Sequence, residues 1–191
     1  MARVAVIIDK HFEDRDLRTL RDGLRDARQE LIPVGLRADW TVEGRHGHER
    51  VTTEAAPKDV DPDATDGLII PSGYTQTQLL SHHEVLLNLA RDVYARGKPV
   101  GAVSSAGWII LGPDPTHGSH MTSWPSVKRD LLNVDADWRD VDLLEHENVR
   151  YSQRPGDVTA FVAAFDEALA EVTRIERVYG PAPSAPSHAV D

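Results

Sequence analysis

The 191-residue chain contains no cysteine. That absence excludes disulfides, thiolate metal sites and a cysteine nucleophile in the chain as it stands, and it leaves the redox compartment open. Long hydrophobic runs are missing too, since no stretch approaches the roughly 20 apolar residues of a membrane helix. Positive charge is scarce. With 21 Lys and Arg against 31 Asp and Glu, the formal net charge is -10. Such a balance disfavours nucleic acid or an anionic membrane surface as the main partner. Met1-Ala-Arg-Val runs straight into a strand pattern without a signal peptide, so the cytoplasm is the expected compartment.

What remains is an ordinary globular composition, of a length that suits one domain with a sizeable core. Residues 4–8 form an unbroken apolar run, as in a parallel strand buried on both faces. After a polar turn over residues 9–13, Leu17, Leu20, Leu24 and Ala27 recur at helical spacing. Asp14 and Asp16 fall where the helix dipole favours acids. Residues 31–35 read as a second strand, and 40–43 with 49–52 as a hairpin.

Further strands are expected at 67–70, 100–103, 141–145 and 149–152, with helices at 83–96, 106–111, 126–132 and 158–179. Val85, Leu86, Leu89, Ala90 and Val93 mark the core face of the first of these helices. Phe161, Phe165, Leu169, Val172 and Ile175 mark that of the last. Residues 112–120 read as loop. The Pro-, Ala- and Ser-rich stretch 180–191 cannot bury a core and is expected to be a disordered tail on a single domain spanning 1–179. Alternating strands and helices predict an α/β fold, a doubly wound and mostly parallel sheet flanked by helices, with a small β-hairpin. Ligands are then expected at the carboxyl ends of the strands.

One segment has the shape of a nucleophile elbow. Residues 98–111, Lys-Pro-Val-Gly-Ala-Val-Ser-Ser-Ala-Gly-Trp-Ile-Ile-Leu, run from a buried strand through a small-residue turn into an apolar helix, with Ser104 at the apex. A serine nucleophile needs a base within hydrogen-bonding reach, which Ser105 cannot supply. His11, His46 and His120 are the candidates for that base. The alternative is an inert serine that marks a ligand pocket.

In order along residues 3–172 come Val4-Ala-Val-Ile-Ile8 with Phe12-Glu-Asp14, Gly44-Arg-His-Gly47, and Asp66-Gly-Leu-Ile-Ile-Pro-Ser-Gly73. Gly97-Lys-Pro-Val-Gly-Ala-Val103, Thr122-Ser-Trp-Pro125, Ala136-Asp-Trp138 and Ser152-Gln-Arg-Pro-Gly-Asp157 complete the series. Each motif alone is weak, but the ordered set resembles the ThiJ/PfpI superfamily, with its amidotransferase-like fold. The resemblance implies a cysteine at the elbow followed by histidine, and an acid after the first strand that hydrogen-bonds it. The matching positions here are Ser104, Ser105 and Glu13. A second carboxylate of protease-like relatives would fall in Tyr74-Thr-Gln-Thr-Gln78, which contains none. A homodimer is also implied, with the 40–52 hairpin as its contact.

The chain therefore keeps Glu13 while lacking the thiol machinery. Glu13 is the candidate proton donor and acceptor, set against the bland reading of an acid that only complements the helix dipole. Gly73, Tyr74, Ser105, Trp124, His46 and His11 are candidate substrate-binding residues. Aromatic walls and backbone N–H groups suit an organic substrate and a developing oxyanion. His46-x-His48, His82-His83 and His117 with His120 lack a carboxylate at ligand spacing, so no metal and no cofactor is expected.

Three functional readings follow. The first is a thiol-independent acid/base enzyme of hydratase, isomerase, cyclase or lyase type acting on a small organic substrate. The second is a non-catalytic small-molecule-binding or regulatory module. The third is a cysteine-dependent hydrolase, glyoxalase-like or hydratase enzyme of which the chain is an inactivated Ser104 form, serine being nearly isosteric with cysteine. Protease activity is disfavoured.

Overall fold

The computed structural model describes residues 1–73, 83–107, 119–154 and 158–180. Tyr74, His82, His117, the elbow helix beyond Gly107 and the tail from residue 181 lie outside the described residues. In chain order the elements are β1 (Arg3–Ile7), α1 (Asp14–Asp26), β2 (Glu30–Val34), β3 (Thr41–Glu43), β4 (Arg50–Thr52), β5 (Gly67–Ile70), α2 (Glu84–Ala95), β6 (Val100–Val103), β7 (His120–Met121), α3 (Lys128–Asn133), β8 (Asp137–Trp138), β9 (Leu143–His146), β10 (Val149–Ser152) and α4 (Val158–Tyr179). Short 3-10 turns occupy Pro57–Asp59, Ser104–Ala106 and Pro125–Val127.

Six strands form one sheet in the order β2-β1-β5-β6-β10-β9, parallel except for the β10–β9 pair. The four inner strands are buried from Val4 onward because helices cover both faces, β1, β5 and β6 with apolar side chains and β10 with Arg150 and Ser152 among its buried residues. Alternation sorts their side chains between two cores. Val4, Ile69 and Val103 face α1 and α4, where they meet Leu20, Leu24, Phe161 and Phe165. Ala5, Ile7, Leu68 and Ile70 face α2, against Leu86, Leu89, Ala90 and Val93. Among the described residues no helix is long and apolar enough to cross a membrane.

Several sequence expectations need correction. Val85 is 58% exposed and Ile175 46% exposed, so neither belongs to its helix's core face. The end of α4 runs past the sheet, and there the 3.6-residue pattern continues without a partner surface. His120 is not loop but pairs with Asp137 in the short parallel β7–β8 ribbon. Two-residue strands are too short to leave a periodicity. The expected turn at Ser104 is a tight 3-10 turn that extends through Ala106, where the elbow helix is expected to begin.

The doubly wound order brings the carboxyl ends of β1, β5 and β6 side by side, and residues 8–13, 71–73 and 104–106 leave the sheet together there. Close layer packing keeps these ends in register. A Cβ on Gly101 of β6 would lie 2.6 Å from Phe161 Cζ and 3.1 Å from Ile69 Cγ1. Gly101→Ala is therefore expected to lose about 1–3 kcal/mol of stability by overpacking. Urea unfolding measures this, and an unchanged midpoint would show that the helix layer yields freely at this contact.

Candidate functional site

The site is built where α1 begins. Glu13 sits at the N-cap of α1 with extended backbone (φ -79°, ψ 111°), yet its side chain makes no capping hydrogen bond. Its backbone N–H instead donates to the Ser72 carbonyl at 2.9 Å, which ties β1 to the end of β5. The carboxylate is left for the cleft. Oε1 lies 3.2 Å from His46 Nε2, and Oε2 lies 3.9 Å from Arg45 Nη1. Glu13 keeps the helix N-terminal position of a dipole-complementing acid, while its carboxylate lies beside the loop residues His46 and Arg45.

His46 and Arg45 belong to the β3–β4 loop, far from Glu13 in sequence, and the next residue along α1 holds them there. The buried Asp14 carboxylate accepts three backbone N–H bonds at 2.8 Å, from His46 to Oδ2 and from His48 and Glu49 to Oδ1. Gly44 passes so close to this carboxylate that a Cβ there would collide with it. Burial alone would raise the Asp14 pKa, but the three N–H donors outweigh it and hold the group below the ordinary carboxylate range. Two further ties close the loop, Arg45 N–H to the Phe12 carbonyl at 2.8 Å and His11 N–H to the Glu43 carbonyl at 2.9 Å. Glu49 adds an anchor on α1, accepting from Arg18 Nε at 2.6 Å and Arg21 Nη1 at 3.0 Å.

The neighbouring strand ends complete the cleft. The Ser72 hydroxyl donates to the buried Asp16 carboxylate, and Gly73 follows at φ 145°, a conformation that favours glycine. Ser104 has φ 63°, a left-handed backbone rare for serine and worth roughly 1–3 kcal/mol of strain. This is the conformation an elbow imposes on its apex residue. The Ser104 carbonyl accepts the Trp124 N–H at 3.3 Å. Thr122 Oγ1 bonds the Val141 carbonyl at 2.9 Å and Trp138 Nε1 bonds Ser123 Oγ at 3.1 Å, which fixes the segment carrying Trp124. Trp124 itself remains 41% exposed. The result is a cleft of about 400 Å³ lined by Glu13, Arg45, Gly73, Ser104, Ser105, Trp124 and Ser126.

Of the residues singled out from the sequence, Glu13, Gly73, Ser104, Ser105 and Trp124 line this cleft, and His46 reaches it through Glu13. His11 is exposed at φ 65° and does not line it. His120 pairs with Asp137 at 2.9 Å and packs edge-on against His146, away from the lining. Among the described residues no hydrogen bond engages the Ser104 hydroxyl, so no base is in place to activate it. His46 and His48 stack at 6.2 Å in the loop rather than sharing a strand face. Among the described residues no three His, Asp or Glu side chains are grouped to hold a metal ion.

Sequence reasoning missed Arg45, Ser126 and the role of Asp14. The Gly44-Arg-His-Gly47 motif carried Arg45 in plain view, but nothing in the pattern says where the loop docks.

An elbow at the carboxyl edge of a mostly parallel sheet, faced by an acid after the first strand, belongs to an α/β protein of DJ-1-like fold. The DJ-1/PfpI family profile matches residues 2–168, and the chain belongs to that family. It is 27% identical over 167 residues to a deglycase of Pyrococcus abyssi, covering 87% of this chain and 99% of that one. It is 28% identical over 160 residues to protein/nucleic acid deglycase 2 of Escherichia coli, covering 83% and 92%. The fold superposes on Drosophila melanogaster DJ-1beta with a TM-score of 0.80 at 21% identity, covering 93% of this chain and 95% of that one.

Replacing Asp14 tests the loop anchor. Asp14→Asn keeps the shape but turns an amide N–H toward a backbone donor, at an expected cost of about 2 kcal/mol at pH 7. Because the folded pKa lies below the unfolded value of about 3.9, the stabilisation is complete above that pH and is lost as pH falls through the folded pKa. The stability gap between native protein and variant is expected to narrow below pH ~4 in denaturant titrations. A gap independent of pH would contradict an ionised Asp14 as the anchor.

Proposed function

We propose that the protein is a thiol-independent acid/base enzyme that moves a proton on a small organic substrate, with Glu13 as proton donor and acceptor. One observation carries this reading. The Glu13 carboxylate lies in the cleft with His46 Nε2 at 3.2 Å, whereas among the described residues the elbow hydroxyl has no base.

In this mechanism a substrate occupies the cleft against Trp124. Glu13 removes a proton from the reacting carbon or heteroatom and returns it elsewhere on the same molecule or to solvent. His46 takes part at Oε1, passing the proton between the carboxyl and bulk water, since its ring is half exposed. The Ser104 hydroxyl, unengaged by described residues, donates to the oxygen on which negative charge develops. Hydration, isomerisation, cyclisation and elimination all fit this division of labour.

Removing the acid removes the proton transfer, so Glu13→Gln is expected to lower turnover by about 100-fold or more, the usual weight of general acid/base catalysis. Progress curves on hydratase, isomerase and lyase substrates measure it. Undiminished turnover in the variant sinks the reading.

A second reading draws on the elbow. Ser104 retains the left-handed apex backbone, and similar proteins from Pyrococcus abyssi and Escherichia coli carry the name deglycase. On this reading the fold is ready for a thiol that the chain lacks, and Ser104→Cys gains activity on reactive carbonyl or glycated substrates. No gain in a folded Ser104→Cys protein counts against it.

A further inference from the structure

We infer that the cleft recognises a carboxylate-bearing, planar substrate, with the Arg45 guanidinium as its anion receptor. The inference rests on the reading of this cleft as the substrate site and adds the chemical class that enters it.

Among the described residues Arg45 is the one cation lining the cleft, in a chain whose formal net charge is -10. Its guanidinium is 61% exposed, and its nearest partner is Glu13 Oε2 at 3.9 Å, beyond hydrogen-bonding distance. Among the described residues no acceptor occupies its five N–H donors. Three other arginines spend their donors on carboxylates. Arg18 and Arg21 hydrogen-bond Glu49, and Arg96 bonds Asp63 at 2.6 Å. A guanidinium with donors unspent, facing a cleft, is a bidentate receptor for a planar anion.

The backbone beneath it is not free to wander. Arg45 N–H is bonded to Phe12, and the next peptide N–H is bonded to Asp14. The receptor is therefore preorganised at the main chain, with ordering cost concentrated in one side chain. Across the cleft the half-exposed Trp124 indole offers an apolar face for a flat group.

Benzoate and its uncharged isostere benzamide are the probes, titrated into the full chain by calorimetry with inorganic phosphate as competitor. Benzoate is expected to bind about tenfold more tightly than benzamide, the scale of one charge-assisted pair. Arg45→Gln, an exposed change that leaves the core intact, is expected to bring the two within about twofold, and Arg45→Lys to restore only part of the preference. Glu13→Gln is expected to keep or strengthen benzoate binding, because it removes a like charge.

The inference is overturned by absence of benzoate binding, by equal binding of the two probes, by a preference that survives Arg45→Gln, or by phosphate displacing benzoate at lower concentration than benzoate itself requires. Failure of the proton-transfer reading would appear elsewhere, as turnover indifferent to Glu13→Gln with this binding preference intact.

Discussion

The Asp14 carboxylate and the three loop N–H groups it accepts are the interaction on which the site depends. A hairpin loop of this kind, rich in glycine and charged side chains, has no apolar surface with which to dock itself. Its backbone donors need acceptors, and a buried carboxylate needs donors. Each satisfies the other, and the loop is brought over the start of α1. Glu13 and Asp14 are neighbours in sequence with divided duties. The turn from extended backbone at Glu13 into helix at Asp14 sends one carboxylate to the cleft and the other to the loop.

The elbow supplies part of the cleft wall. Ser104 keeps the left-handed backbone and closes one wall, and its carbonyl fixes the Trp124 segment. The hydroxyl lacks an activating base among the described residues. The DJ-1/PfpI fold is thus present in a chain that lacks cysteine, and among the described residues the charged groups lining the cleft are Glu13 and Arg45. Chemistry that needs only proton transfer and charge recognition is open to such a chain, whereas covalent catalysis through sulfur is not.

Most of the scaffold was legible in the sequence. Buried parallel strands announce themselves as apolar runs, so β1, β5 and β6 were found within a residue or so, and β10 was found at the same bounds although Arg150 and Ser152 interrupt its apolar pattern. α1 and α4 showed themselves by period. The β7–β8 ribbon was invisible because two residues per strand carry no pattern. Glu13, Gly73, Ser104 and Trp124 were placed by strand ends and by family motifs. Asp14 was read correctly as a first-turn acid but its loop contacts were missed, because such an acid looks the same whether it serves only the dipole or also anchors a distant loop. Its partners are backbone N–H groups, which leave no trace in residue identity, and Arg45 was overlooked for the same reason.

Amide hydrogen exchange tests most directly whether Asp14 assembles the site. The amides of His46, His48 and Glu49 are compared between native protein and Asp14→Asn at neutral pH. The expected result is acceleration of these three by about tenfold or more while the inner strands and the middle of α1 keep their protection, the pattern of local rather than global opening. Unchanged protection at these amides would contradict the anchor, and with it the placement of Arg45 and His46 beside Glu13.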